Sequence, residues 1–435
     1  MEGSAMLFAN IDILDEQFQH HTRQYVGVIG NKIAYIGTEK PAEDFGEVYD
    51  GTGKLLMPGF VNAHSHSAMT LMRGYGENLA LSDWLHTRIF PFEAKLDSEA
   101  IYNGTMLAAA EMLCFGIVST TDMYFDGEAV SRAVLESGIK MNFSLSTTCF
   151  DGRGARELPV YQEMLDTLHR FHGAGGERFK LDLAIHAEYT STPRVVVDMA
   201  EIAKETGLHM HLHLSETQAE HEACKQRHGG RTPARYFYDA GIFDTPTTAA
   251  HCVWLEDEDF DILKEKNVTV ASCPVSNLKL ASGFCRAPQM LTRGINVALG
   301  TDSVASNNNL NMLEEVKLFA TLFKATTGDP TAITPQEALY AATRAGALSQ
   351  GRADCGLLKE GFRADLIVLD LQNKPYLRPC HNMANNVVFS AMGTDVCLTM
   401  VDGKVLYHDG IYTTLDLEAV ARRAEESVEK ILKQL

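Results

Sequence analysis

The sequence predicts an α/β chain in which a TIM-like (β/α)8 barrel carries a small β-sandwich domain built from both chain ends. Three observations predict it. Between residues 59 and 354, short apolar runs alternate with helical patterns, and eight such runs can be placed. Residues 1 to 58 and 355 to 435 read differently, with period-2 alternation of apolar and polar side chains. Neither flank buries much core alone, so the two are expected to pair into one composite domain.

The elements follow in order. Strands are expected over residues 6–14, 25–29 and 32–36, with Gly30-Asn31 as the hairpin turn between the last two. The apolar run 55–63 reads as one buried strand that leads into His64-Ser65-His66 and opens the barrel. The other barrel strands are expected at 118–124, 141–147, 179–186, 209–214, 247–252, 268–273 and 297–302. Helical patterns such as 97–115, 193–205 and 256–266 lie between them. Strand texture returns at 364–370, 396–401 and 404–407, with Asp402-Gly403 as a second hairpin signal, and a charged helix over 415–435 closes the chain.

Composition excludes several classes. Hydrophobic content of 45% and charged content of 22% are those of an ordinary globular protein. A net charge of -19 argues against nucleic acid and anionic membranes as partners. No apolar run is long enough for a membrane helix. Residues 1–6 lack the basic and apolar regions of a secretory signal. The nine cysteines form no C-x-x-C pair, so they read as free thiols of a reducing cytoplasm. A homo-oligomer is compatible with such a barrel, but no stretch marks an interface.

His64 and His66 stand two residues apart in an extended segment, so both imidazoles point to one side. In a parallel barrel the active site forms at the C-terminal ends of the strands. The other polar oddities fall there too: His186 after the fourth strand, His211 and His213 on the fifth, Glu216 just beyond it, His251 after the sixth and Asp302 after the eighth. One such residue alone is commonly a satisfied core group; five strand ends converging on one mouth are not. Nitrogen ligands plus one carboxylate suit one Zn²⁺ or Fe²⁺. The expected ligands are His64, His66, His213 and Asp302. His211 shares the face of His213 and competes with it, but His213 lies nearer the strand end; His209 and His211 are expected to pack or to support.

The motifs are specific at this point. The segment Met57-Pro58-Gly59-Phe60-Val61-Asn62-Ala63-His64-Ser65-His66 resembles the first-strand signature of the amidohydrolase superfamily, as do His211-Leu212-His213-Leu214-Ser215-Glu216, Ala250-His251-Cys252, Ser276-Asn277-Leu278-Lys279-Leu280 and Gly300-Thr301-Asp302-Ser303 its later motifs. Within it the chain is most similar to the 5-methylthioadenosine/S-adenosylhomocysteine deaminase group. That resemblance implies hydrolytic deamination of a 5′-modified adenosine to the inosine derivative and ammonia. His186 stands where two-metal members carry a carboxylated lysine, so a single ion is implied. The resemblance also implies substrate contacts from Glu93, from His186 and from an arginine after the third strand, where Arg156 is preferred over Arg153.

The mechanism expected from this is addition of an activated water to the purine carbon that bears the amino group. Asp302 takes a proton from that water, Glu216 carries protons to ring nitrogen N1 and to departing ammonia, and His251 hydrogen-bonds the attacking oxygen. Glu93 accepts from ribose hydroxyls. Another aminated heterocycle (guanine, a pterin or an s-triazine, deaminated or dechlorinated) is the alternative on the same scaffold. A non-catalytic scaffold protein would have lost ligands that this chain keeps. The H-x-E match His186-Ala187-Glu188 lacks the P-C-x-x-C that cytidine-type deaminases need, so it carries no second metal motif.

Overall fold

The computed structural model describes residues 5–435; residues 1–4, on which part of the N-terminal reading falls, lie outside the described residues. Eight parallel strands form the barrel: Phe60–Ser65, Ile117–Tyr124, Lys140–Thr147, Phe179–Ile185, Met210–Leu214, Thr247–His251, Thr269–Ser272 and Val297–Leu299. Each pairs with the next in sequence. Their apolar residues are buried on both faces, as a parallel sheet wrapped in helices requires. The helices between them start on side chains that accept a backbone N–H, such as Asp97 before Ser98–Cys114 and Thr192 before Pro193–Thr206.

The flanks form one nine-stranded mixed sheet. Its join is Lys54–Pro58, which pairs in parallel with Ala5–Leu14 and antiparallel with Leu366–Asp370. The sheet curls back on a core of Phe8, Ile11, Val26, Leu56, Leu366 and Met400. Its edge strand Lys32–Gly37 meets the segment that leads into Leu366–Asp370, where Lys32 bridges Arg363 and the Ile33 amide donates to the Phe362 carbonyl. Both hairpin turns form as expected, between Ile29 and Lys32 and between Val401 and Lys404. Strands at Glu47–Asp50 and Ile411–Tyr412 escaped the sequence reading because they are short and half exposed.

Two expectations change. The run 55–63 is not one strand: Lys54–Pro58 belongs to the flanking sheet and Phe60–Ser65 to the barrel. Gly59 makes the transfer, since a Cβ there would sit 2.3 Å from Val118 Cγ1. The eighth strand stops at Leu299, and Asp302 leaves it with φ 59°.

The bottom of the barrel is tied to the flanking sheet by a buried charge network. Lys140 Nζ donates to both Asp365 oxygens at 2.8 and 2.6 Å and pairs with Asp402 at 2.7 Å. Gln350 and Arg352, after the last barrel helix, plug the same end. Gln350 bonds Ser119 and Thr121, and Arg352 donates to the Asn142 side chain and the Met141 carbonyl. The mouth at the other end is left open.

Candidate active site

His64 ends the first barrel strand with its side chain fully buried. The loop after it is held by Asp122, which accepts from the Ser65 hydroxyl at 3.0 Å and the Ser67 amide at 2.5 Å. Barrel closure brings Asp302 alongside. The Asp302 amide donates to the His64 carbonyl at 3.0 Å, and the Asn62 side chain bonds both the amide and the hydroxyl of Thr301. Gly300 permits this approach, because a Cβ there would lie 2.9 Å from His64 N and O.

The imidazoles converge with their lone pairs inward. His66 Nδ1 donates to the Met123 carbonyl and His213 Nδ1 to the His186 carbonyl, both at 2.7 Å. A carbonyl only accepts, so in the neutral rings each Nε2 is a lone pair, and the two face each other at 3.3 Å. His64 Nε2 is buried with no hydrogen-bond partner. Asp302 Oδ1 lies 3.6 Å from His64 Nε2 and 3.4 Å from His66 Nε2. A tetrahedral centre with bonds of about 2.1 Å has ligand–ligand edges of roughly 3.4 Å, so these donors fit one divalent ion. Burial, then the neighbouring imidazoles, holds His64 and His213 well below the usual histidine range and keeps their lone pairs free.

The surrounding groups orient this set. His211 Nε2 lies 2.8 Å from His64 Nδ1, so His211 stands behind His64. His209 precedes the strand, at the end away from the ion cradle, with its Nδ1 3.4 Å from the Ser349 carbonyl. Asp302 Oδ2 accepts from Ser276 at 2.6 Å and from Ser306 at 3.0 Å.

Glu216 and His251 flank the cradle. His251 Nε2 is 3.8 Å from Glu216 Oε2, and its Nδ1 is 2.8 Å from Asn277 Oδ1. His251 also falls within ligand distance of His64 and His213. Burial opposes its charged form, yet the Glu216 and Asp302 carboxylates raise its pKa. Burial raises Glu216 despite His251 nearby. Its backbone is pinned by Glu220, which accepts from the Ser215 and Glu216 amides at 3.2 and 2.9 Å. Ser282 donates to Glu216 Oε1 at 3.2 Å. Ser215, His251 and Asp302 all have positive φ, so local strain gathers at the mouth.

A cavity of about 450 Å³ opens above these groups and is lined by His66, His213, Glu216, His251 and Asp302 together with Glu93 and His186. Burial pushes the Glu93 carboxyl up to about 7, with the Tyr124 phenol beside it. His186 is held down to about 3 by burial and then by His66. Arg156 does not reach this cavity, contrary to expectation. Its guanidinium donates to Glu205 at 2.7 Å and Tyr161 at 2.8 Å on the surface. Arg153 is likewise paired with Asp151 at 2.8 Å. Gly154 is buried against Asp198 and Arg194 while Gly152 stays exposed, and both guanidinium groups turn to local acids.

The sequence reading missed Asp122, Glu220 and Ser282 as parts of the site. Only Glu220 left a local signal, the T-x-x-E spacing from Thr217 that caps the helix Gln218–Arg227. Asn277 and Ser276 were visible only within a motif.

A parallel barrel whose mouth gathers three imidazoles, a carboxylate and a further buried glutamate defines a metal-centred hydrolase. The chain belongs to the amidohydrolase family, whose profile matches residues 55–406. It is 40% identical over 402 residues to the 5-methylthioadenosine/S-adenosylhomocysteine deaminase of Dictyoglomus thermophilum, covering 92% of this chain and 93% of that one. It is also 40% identical over 406 residues to the 5′-deoxyadenosine deaminase of Methanosarcina mazei, covering 93% and 92%. The crystal structure of an adenosine deaminase from Xanthomonas campestris with bound zinc superposes with a TM-score of 0.92 at 27% identity, over 99% of each chain.

Proposed function

We propose that this chain deaminates a 5′-modified adenosine, giving the inosine derivative and ammonia. The observation that carries the reading is that the ion cradle, Glu216, His251 and Glu93 line one cavity of about 450 Å³. The names of the relatives supply the nucleoside.

His64, His66, His213 and Asp302 would hold one divalent ion, Zn²⁺ before Fe²⁺, and the zinc of the related adenosine deaminase structure supports this. Such an ion supplies Lewis acidity and makes water nucleophilic near neutral pH. No lysine lines the cavity among the described residues, which favours one ion over two. Glu216, whose pKa is raised by burial, delivers a proton to N1 as the water oxygen adds to C6. Asp302 takes a proton from that water. His251, oriented by Asn277, hydrogen-bonds the oxygen. Loss of the hydroxyl proton through Glu216 to the amino group breaks the C6–N bond, releases ammonia and leaves the C6 carbonyl. Glu93 accepts from the ribose hydroxyls, and His186 borders the base.

Nine cysteines with free thiols fit a reducing cytoplasm, and no described helix is long and apolar enough to cross a membrane.

The test is ammonia release from metal-analysed protein across 5′-modified adenosines, guanine and triazines. Conversion of the adenine spectrum to that of hypoxanthine is the expected result. Turnover of another aminated ring with none of any adenosine overturns the reading.

A further inference from the structure

We infer that the part of the cavity beyond the ribose site is an uncharged apolar subsite. It would favour nucleosides whose 5′ substituent is a hydrogen or an alkylthio group over one ending in an amino acid. This rests on the deaminase reading above.

No lysine or arginine lines the cavity among the described residues. Its wall is instead made by Met69, Leu85, Ile89, Phe90, Phe125 and Phe150. Two of these are exposed at the rim, Phe150 at 77% and Phe125 at 37%. Large aromatics left so open beside a cavity gain by covering an apolar ligand group.

The arginines of the adjoining loop and helix are already paired. Arg153 pairs with Asp151, Arg156 with Glu205 and Arg194 with Glu157. A neighbouring cavity of about 670 Å³, reached past Leu81 and Leu85, does contain Lys279. Its ammonium is held by Glu77 at 3.0 Å and by Asn308. A homocysteinyl carboxylate would therefore lose water without meeting a free cation, and Glu93 already sets an acid inside the cavity. An alkyl chain of equal length loses nothing comparable and gains about fourfold in affinity per buried methylene.

The test compares 5′-methylthio-, 5′-butylthio- and homocysteinyl-thioadenosine. Binding is measured by calorimetry on the metal-loaded Glu216→Gln protein, and kcat/KM on the wild type. Butylthio should bind more tightly than methylthio. The homocysteinyl compound should be at least tenfold weaker than butylthio, with the same order in kcat/KM. Phe150→Arg should narrow that gap several-fold.

A homocysteinyl compound that binds as tightly as butylthio overturns the inference while leaving deamination intact. An unchanged gap in Phe150→Arg overturns the placement of the substituent. If the binding order holds but the wild type releases no ammonia, the deaminase reading fails and the subsite stands. If none of the three binds, the subsite falls with that reading.

Discussion

In the proposed mechanism, Glu216 is the residue on which proton movement turns. It lies outside the ion cradle, pinned by Glu220 through its own amide and by Ser282 through its carboxyl. Glu216→Gln should therefore keep its metal content, read by atomic absorption, while kcat falls by about 10²–10⁴. Loss of metal instead would place Glu216 among the ligands. Glu93 allows a pH prediction. Its carboxyl sits at about 7 in the fold, against 4.5 for an ordinary glutamate. Between those values the folded chain holds a proton that the unfolded chain releases. The stability linked to this proton is present below pH 4.5 and lost as pH rises through about 7. Glu93→Gln should thus gain stability over the wild type between pH 5 and pH 8, by on the order of 1–2 kcal/mol at this partly open site. Its KM for nucleosides should rise about tenfold as the charged ribose acceptor is lost. Denaturant melts at the two pH values and steady-state kinetics check both. The chelating pair, Glu216, His251 and Asp302 were legible in the sequence because each follows an apolar run that ends at the mouth. Arg156 was misjudged because loop side chains are aimed by local partners, here Glu205 and Tyr161, which lie far away in sequence or carry no motif.

At the scale of elements, the first and eighth strands build the cradle only because they close on each other. Gly300 allows that closure, since a Cβ would press on His64 backbone atoms that cannot move away. Gly300→Ala should cost about 1–3 kcal/mol and weaken metal retention, read by thermal melts and metal content after dialysis. Weakened stability with full metal retention would mean that the strain is absorbed elsewhere. Strand positions were readable from apolar runs, and seven of the expected barrel strands match observed ones within a few residues. The run 55–63 shows the limit of this reading. Both halves are apolar because both are buried, and hydropathy cannot tell which sheet buries them.

Over the whole molecule, the barrel and the flanking sheet are joined by Lys140 with Asp365 and Asp402. The two carboxylates surround the ammonium and raise its pKa despite its burial. Lys140→Met would leave Asp365 buried without its cation, while Asp402 keeps Arg178 and Arg363, and a loss of about 3–5 kcal/mol is expected in equilibrium unfolding. Metal removal should also be felt globally. Without an ion the facing lone pairs of His66 and His213 have nothing between them, so chelation should lower Tm and metal return should restore it. A Tm unchanged by chelation would argue against an ion in the cradle.

The sequence by itself determined the barrel, the flanking sheet and the residue types at the mouth, because periodicity and strand-end placement are local properties. It also carried the family motifs. Only the tertiary structure decided which lone pairs face one another, which carboxylates lose water and rise in pKa, and that the guanidinium groups near the third strand point away from the cavity. Those outcomes depend on distances between residues far apart in the chain. Hydrogen-bond direction and desolvation are set by packing, and no spacing in the sequence records them.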